Sequence, residues 1–156
     1  MINQTHDMDA VAKILNHPRV YRMISDDMSP SPFIPMDYVG AIYLMDESRV
    51  GVVRIDPMNG ICCICHIATL PELWGKARDF VMESAKWLFN NTVYIKVVGI
   101  IPAYNRLVIK LCRDCGFSQE GVIRKSFMKK WKIYDQMIFG LSKSEYCKGG
   151  TSCHQQ

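Results

Sequence analysis

The sequence predicts a mixed α/β sheet, and three observations carry that prediction. Residues 61–70 form a short apolar run rich in Ile and Cys, closed by Pro71, which reads as a buried strand. Beyond it Ala77, Phe80, Val81, Ala85 and Leu88 recur at gaps of three and four and trace one helical face. Around this unit the chain orders itself as two helices, three or four strands, helix, strand, helix and two strands.

Taken in order, Thr5 or Asp7 caps a first helix with Met8, Val11, Ala12 and Leu15 on its buried side. His17-Pro18 breaks it. A short second helix carries Val20, Tyr21 and Ile24 as far as Asp26-Asp27. Pro30, Pro32 and Pro35 remove amide donors and fix the backbone, so residues 29–35 are a loop, a natural wall for a ligand site. Residues 38–44 and 50–55 read as a hairpin around the polar turn at 46–49, followed by a second turn at 57–60. After the central strand and helix, residues 93–98 are the next strand, and Pro102 closes it. Asn105 opens a short helix with Leu107, Val108, Leu111, Cys112 and Cys115 turned inward, and Gly116 caps its end. Residues 117–124 and 133–141 form a last antiparallel pair, joined by a basic connection around Lys129, Lys130 and Lys132.

With 156 residues, 49% of them hydrophobic and 22% charged, one folded domain with a real core is expected, and disorder is excluded. The net charge of +4 allows an anionic ligand. Lys125, Lys129, Lys130 and Lys132 make a basic edge without a regular base-stacking pattern, so a solvated hairpin edge is expected and nucleic acid is not. The opening MINQTHDMDA has no basic region leading into an apolar run, and no stretch approaches membrane-spanning length. Cytoplasmic residence without a membrane partner is therefore expected. Seven Cys, an odd number, read most simply as free thiols. Cys62 with Cys65, and Cys112 with Cys115, have zinc-type spacing. The first pair lies in a β-branched run without a turn residue, and the second straddles a helix end, so no metal site is expected. Cys147, Cys153 and His154 fall in a polar tail.

The chemistry-bearing feature is the turn between Pro71 and the helix. Gly75 stands where unpaired amides and the helix dipole together suit an anion. The bland alternative is an ordinary strand–turn–helix unit packed on a sheet.

The order of elements, the turn at Gly75 and the segment NRLVIKLCRDCGF (105–117) resemble the GNAT superfamily of acyl-CoA-dependent N-acetyltransferases. Gly116-Phe117, Glu120-Gly121, Arg124, Asp135, Phe139 and Leu141 resemble the kind that modifies ribosomal-protein N-termini. HPRVYRMISDD and LPELWGKA also resemble small GNAT-like proteins of short-tailed bacteriophages, some of them head-assembly or internal virion proteins. The resemblance implies a mixed, mostly antiparallel sheet of six to seven strands flanked by about four helices. It places that domain at residues 1–144 and leaves 145–156 as a flexible tail.

It implies acetyl-CoA as cofactor, bound by Leu73, Trp74, Gly75, Lys76, Ala77 and Arg78 at the diphosphate, by Ile67, Ala68 and Thr69 along the strand, and by Asn105 at the pantetheine arm. Glu72 departs from the family's Gln or Arg. Cys112 and Val108 stand where members carry a Tyr or Ser that protonates the leaving thiolate. Cys112 is then the candidate acid, with Tyr134 as an alternative and packing as the plain role of each. A thiol of pKa near ~8.5 leaves tolerably without help. His66 is the candidate base, next to the thioester position, though a strand His is often a core residue. Glu72, Asp26 and Asp27 could attract the amine. The implied reaction acetylates a primary amine, with a protein or peptide N-terminus as the least demanding acceptor. The alternative is a catalytically reduced GNAT-fold structural or head-assembly protein, whose partners are phage proteins in the host cytoplasm or virion.

Overall fold

The computed structural model describes residues 1–149. Its elements are β1 (Ile2–Gln4), α1 (Met8–Leu15), α2 (Pro18–Ile24), β2 (Ile42–Asp46), β3 (Gly51–Pro57), β4 (Cys62–Thr69), a 3-10 helix (Pro71–Lys76), α3 (Ala77–Asn91), β5 (Lys96–Pro102), α4 (Arg106–Asp114), β6 (Ser118–Lys129), β7 (Lys132–Ser142) and α5 (Lys143–Lys148). The strands form one sheet in the order β1-β2-β3-β4-β5-β7-β6. Every neighbouring pair is antiparallel except β4 and β5. This is the mixed, mostly antiparallel architecture expected.

Side chains alternate across a strand, and here each face has its own core. Val53, Ile55, Cys63 and Phe139 pack with Phe80, Leu88 and Phe89 of α3. On the opposite face Tyr43, Met45, Val52 and Ala68 pack with Val11 and Ile14 of α1 and Val20 of α2. Of the helical face read in α3, Phe80, Val81, Ala85 and Leu88 are buried and Ala77 is half-buried, while Ser84 and Phe89 join it. Ser84 is tolerated there because its hydroxyl donates to the Phe80 carbonyl at 2.7 Å.

Caps set the ends of the helices. Asp7 rather than Thr5 caps α1, accepting from the Ala10 amide at 2.9 Å. Asn105 lies just outside α4 as its N-cap. At the other end of α4, Gly116 takes φ +81° and the chain closes a Schellman pair: Phe117 N to Cys112 O at 2.9 Å and Gly116 N to Arg113 O at 3.0 Å.

Several expectations shift. The strand expected at 38–44 is Ile42–Asp46, and the one expected at 93–98 is Lys96–Pro102. Val93 is β-branched but 75% exposed, so it has no sheet to join. Leu107 is 78% exposed, and Ile109 takes the inward place on α4. Strand β1 was not anticipated; three residues carry too short a pattern to read. Residues 143–148 are helical, where the tail was expected to begin at 145. A capping box at Ser142 and Glu145 starts α5, and the buried Tyr146 ring lies 5.5 Å from that of Phe89. Cys62, Cys63, Cys65, Cys112 and Cys115 are free thiols, whereas Cys147 is disulfide-bonded, unlike the all-thiol expectation. Cys153 and His154 lie outside the described residues. Among the described residues no three His, Cys, Asp or Glu side chains converge as a metal set, and no helix is long and apolar enough to cross a membrane.

Candidate active site

The site begins where the sheet divides. β4 and β5 pair only from Cys62↔Lys96 to Ile64↔Val98, although both strands continue. Their outer halves part and leave a gap. Hydrogen bonds at the ends of the two strands show which backbone groups face it. The Ile61 carbonyl accepts from Ile95 N and Lys96 N, toward β5, while Leu70 N donates to Val50 O, toward β3. By alternation, Ile67 and Thr69 direct their amides and carbonyls into the gap. On β5, Ile95 O accepts from Lys143 N and Ala103 N donates to Asp135 O, so Ile100 faces the gap from the other side.

The cleft that opens there holds about 540 Å³ and runs through the sheet. Leu15 and Met23 line it on the α1–α2 side, and Val81, Leu111 and Cys112 on the other. His66, Ile67, Ala68, Thr69, Trp74, Ala77, Asn105 and Cys112, all singled out in the sequence, line this one cleft. Leu73, Gly75, Lys76, Arg78 and Tyr134 do not.

His66 projects to the α1–α2 face, opposite Arg54 on β3. Its side chain is 59% exposed to solvent within the cleft. Its Nε2 lies 3.6 Å from Asp56 Oδ2. The surrounding protein mass disfavours the imidazolium and lowers the His66 pKa below the ordinary value; Asp56 opposes that shift and Arg54 adds to it. Asp56 is nearly buried and well held. Arg54 Nε stands 3.0 Å and 2.9 Å from its two oxygens, and the Tyr38 hydroxyl donates to it. Arg54 also donates to Tyr38 Oη at 3.0 Å, with its guanidinium 5.5 Å from that ring's centroid. Sequence reading missed Arg54, Asp56 and Tyr38. The first two had a signal: in GVVRIDP two opposite charges sit two residues apart, hence on one face of an apolar strand.

The turn after β4 is not the open amide cradle expected. It closes into a 3-10 helix in which Leu73 N bonds to Leu70 O and Ala77 N to Trp74 O. Leu73 packs against the core instead of a ligand. Gly75 is exposed, and a Cβ added there would meet nothing within 4 Å. Trp74 donates from Nε1 to Thr69 O at 3.3 Å. Lys76 is exposed, and Arg78 bridges to α4, its Nε donating to Asp114 O at 3.1 Å. Glu72 is exposed and has no ion pair among the described residues.

Asn105 accepts from Val108 N at 3.4 Å. Cys112 is half-buried, and burial, with Cys115 beside it, pushes its thiol up to about 12. Tyr134 is occupied elsewhere, edge-on to Tyr104 at 4.8 Å. Asp26 and Asp27 are committed to backbone. Asp26 accepts from Met28 N and the Ser29 hydroxyl. Asp27 accepts from Lys130 N and Trp131 N, each at 2.7 Å. The proline-rich loop is pinned by Asn16, which accepts from Phe33 N and donates to Phe33 O, both at 2.7 Å. That places Phe33 on the cleft wall.

No family model matches the chain. The SPbeta prophage-derived uncharacterized N-acetyltransferase YokL of Bacillus subtilis (strain 168) is 29% identical over 106 residues, which are 65% of this chain and 59% of that protein. The chain thus matches less than two thirds of the relative's length. Among solved structures, the spermidine N-acetyltransferase of Vibrio cholerae in complex with CoA and spermine superposes with a TM-score of 0.76 at 17% identity, covering 94% of this chain and 97% of that one. A mutant of the Vibrio cholerae spermidine N-acetyltransferase SpeG gives a TM-score of 0.77 at 16% identity, with 97% and 99% covered. The superposition spans nearly the whole length of each chain: this chain has the fold of the GNAT N-acetyltransferases.

Proposed function

We propose that this protein transfers an acetyl group from acetyl-CoA to a primary amine. One observation carries the reading: the Ile67 and Thr69 amides face a gap that no neighbouring strand fills, beside His66. An unpaired strand edge in a cleft suits an extended amide-bearing arm, which can bond to it as an added strand does. Such an amide is also a preorganised donor for oxygen charge developing on a thioester. Asn105, at the wall, has a side-chain amide group to offer the same arm. Acetyl-CoA supplies the acyl thioester. In the transfer the amine nitrogen bonds to the carbonyl carbon, the C–S bond breaks, the amine's proton passes to His66, and the thiolate takes a proton from solvent.

The residues divide this work by chemistry. His66, held neutral at pH 7, is the base, and Asp56 orients its ring. The Cys112 thiol, at about 12, is a weak donor toward a leaving thiolate whose acid has a pKa near ~8.5. We assign Cys112 to the cleft wall and Tyr134 to packing. Lys76, Arg78 and the open side of Gly75 flank the diphosphate position. An N-terminal α-amine, whose pKa near ~7.7–8.0 leaves it partly neutral, asks less of the base than a lysine amine near ~10.4. Calorimetric titration with acetyl-CoA, followed by thiol release over an amine panel, tests the reading; no binding at millimolar cofactor removes it.

A second reading has its own support. Part of the diphosphate turn is closed into a 3-10 helix, Glu72 adds a carboxylate there, and the matched Bacillus subtilis relative is prophage-derived. These favour a catalytically reduced GNAT-fold protein acting with phage structural proteins, in host cytoplasm or virion. Acetyl-CoA binding without turnover on any amine would select it.

A further inference from the structure

Resting on the acetyl-transfer reading, we infer that the acceptor is a primary amine carried on an apolar, non-cationic body, and not a polyamine. The inference comes from what surrounds His66 on the acceptor face. Leu15, Met23, Ile24, Phe33, Tyr43 and Phe127 line that side. Among the described lining residues there is no Asp, Glu or Lys, and Arg54 and His66 are the basic groups.

The carboxylates nearby in sequence or structure are engaged. Asp56 is held by Arg54 and Tyr38. Asp26 accepts from the Met28 amide and Ser29 hydroxyl of its own loop, and Asp27 from the Lys130 and Trp131 amides of the β6–β7 turn. Asp37 pairs with His6 at 2.9 Å. A substrate with a second or third ammonium group would place it against apolar side chains, or beside the Arg54 guanidinium, with no counter-charge. A buried charge without a partner is costly. An apolar body instead gains by covering Met23 and Ile24, each 37% exposed at the rim.

Two sources share this chemistry: a peptide whose first residue is apolar, and a free aralkyl or alkyl amine. The test uses the full chain with saturating acetyl-CoA and follows thiol release. The acceptors are a peptide beginning with Leu, the same peptide beginning with Asp, phenethylamine, and spermidine. The Leu peptide or phenethylamine is expected to exceed spermidine in kcat/KM by at least roughly tenfold, the scale on which apolar pockets discriminate. Whichever of the two is faster identifies the source. Met23→Glu, at the exposed rim, should narrow that ratio by raising spermidine turnover. Equal or faster turnover of spermidine overturns the inference and leaves acetyl transfer standing. So does calorimetry that finds no binding of either apolar acceptor to the acetyl-CoA-loaded protein. Failure to bind acetyl-CoA at all overturns the reading beneath it.

Discussion

His66 Nε2 stands 3.6 Å from Asp56 Oδ2, two side chains from adjacent strands meeting on the face under α1 and α2. The pair makes a base whose charge is set from two directions. Surrounding protein lowers the His66 pKa, and Asp56 partly restores it.

The sign of the pH dependence follows. His66 loses its proton below the ordinary value near ~6.5, so kcat/KM should rise with pH through an acid limb below that value and rise again as an acceptor α-amine, near ~7.7–8.0, becomes neutral. Asp56→Asn removes the raising influence and should move the limb to lower pH while reducing the rate. A purely structural role for Asp56 predicts a lower rate with an unmoved limb. Stability follows the same sign. A depressed histidine makes the unfolded chain bind more protons below about pH 6.5, so its contribution is present above that pH and is lost as pH falls through the folded value. Rate profiles and thermal melts between pH 5 and pH 8 check both.

Cys112 separates a catalytic from a packing role. A general acid supplies roughly 10²–10⁴-fold. Held at about 12 by burial, the thiol is expected to contribute less, so Cys112→Ala should lower kcat by less than about tenfold. Steady-state kinetics at saturating acetyl-CoA decide it. Slow alkylation of Cys65 and Cys112 at pH 7 is expected alongside, since both thiols lie at about 12.

Gly51 and Gly75 should respond in opposite ways. A Cβ at Gly51 would lie 2.7 Å from Leu73 Cδ2 and 2.8 Å from Phe80 Cζ. Phe80 is buried, so the clash cannot relax freely, and Gly51→Ala should destabilise by about 1–3 kcal/mol. At Gly75 there is open space. Gly75→Trp should leave the unfolding midpoint nearly unchanged and weaken acetyl-CoA binding at least tenfold, about 1.4 kcal/mol. Denaturant melts and calorimetry on both variants read the two effects separately.

The β6–β7 turn carries strain that Asp27 holds in place. Lys130 and Trp131 take φ of +51° and +61°, which side chains disfavour, and both amides bond to the Asp27 carboxylate. Replacing Trp131 with Gly should stabilise the fold by about 1 kcal/mol, visible in the urea midpoint. Asp27→Ala should speed hydrogen exchange at those two amides.

Much of the architecture was legible because it depends on local periodicity. The helical face of α3, the run ended by Pro71 and the Gly116 cap all declare themselves within a dozen residues. Expectations failed where a neighbour decides. Val93 has strand chemistry but no partner strand, and Leu107 has helix-core chemistry on the outer side of α4. The Gly75 turn had the composition of an open anion loop. Its amides were drawn into a 3-10 helix because Leu73 found a core to pack against.

The candidate site divides the same way. Sequence by itself determined that an apolar strand would carry one imidazole, that three prolines would keep residues 29–35 a loop, and that a helix would start at Asn105. Each follows from residue type and spacing. Tertiary structure alone decided that β4 and β5 part after Ile64, that Arg54 and Asp56 face His66, that Tyr38 braces that pair, and that Phe33 reaches the cleft. Those relations join residues from separate segments. They depend on register and on how two strands diverge, which no local pattern encodes.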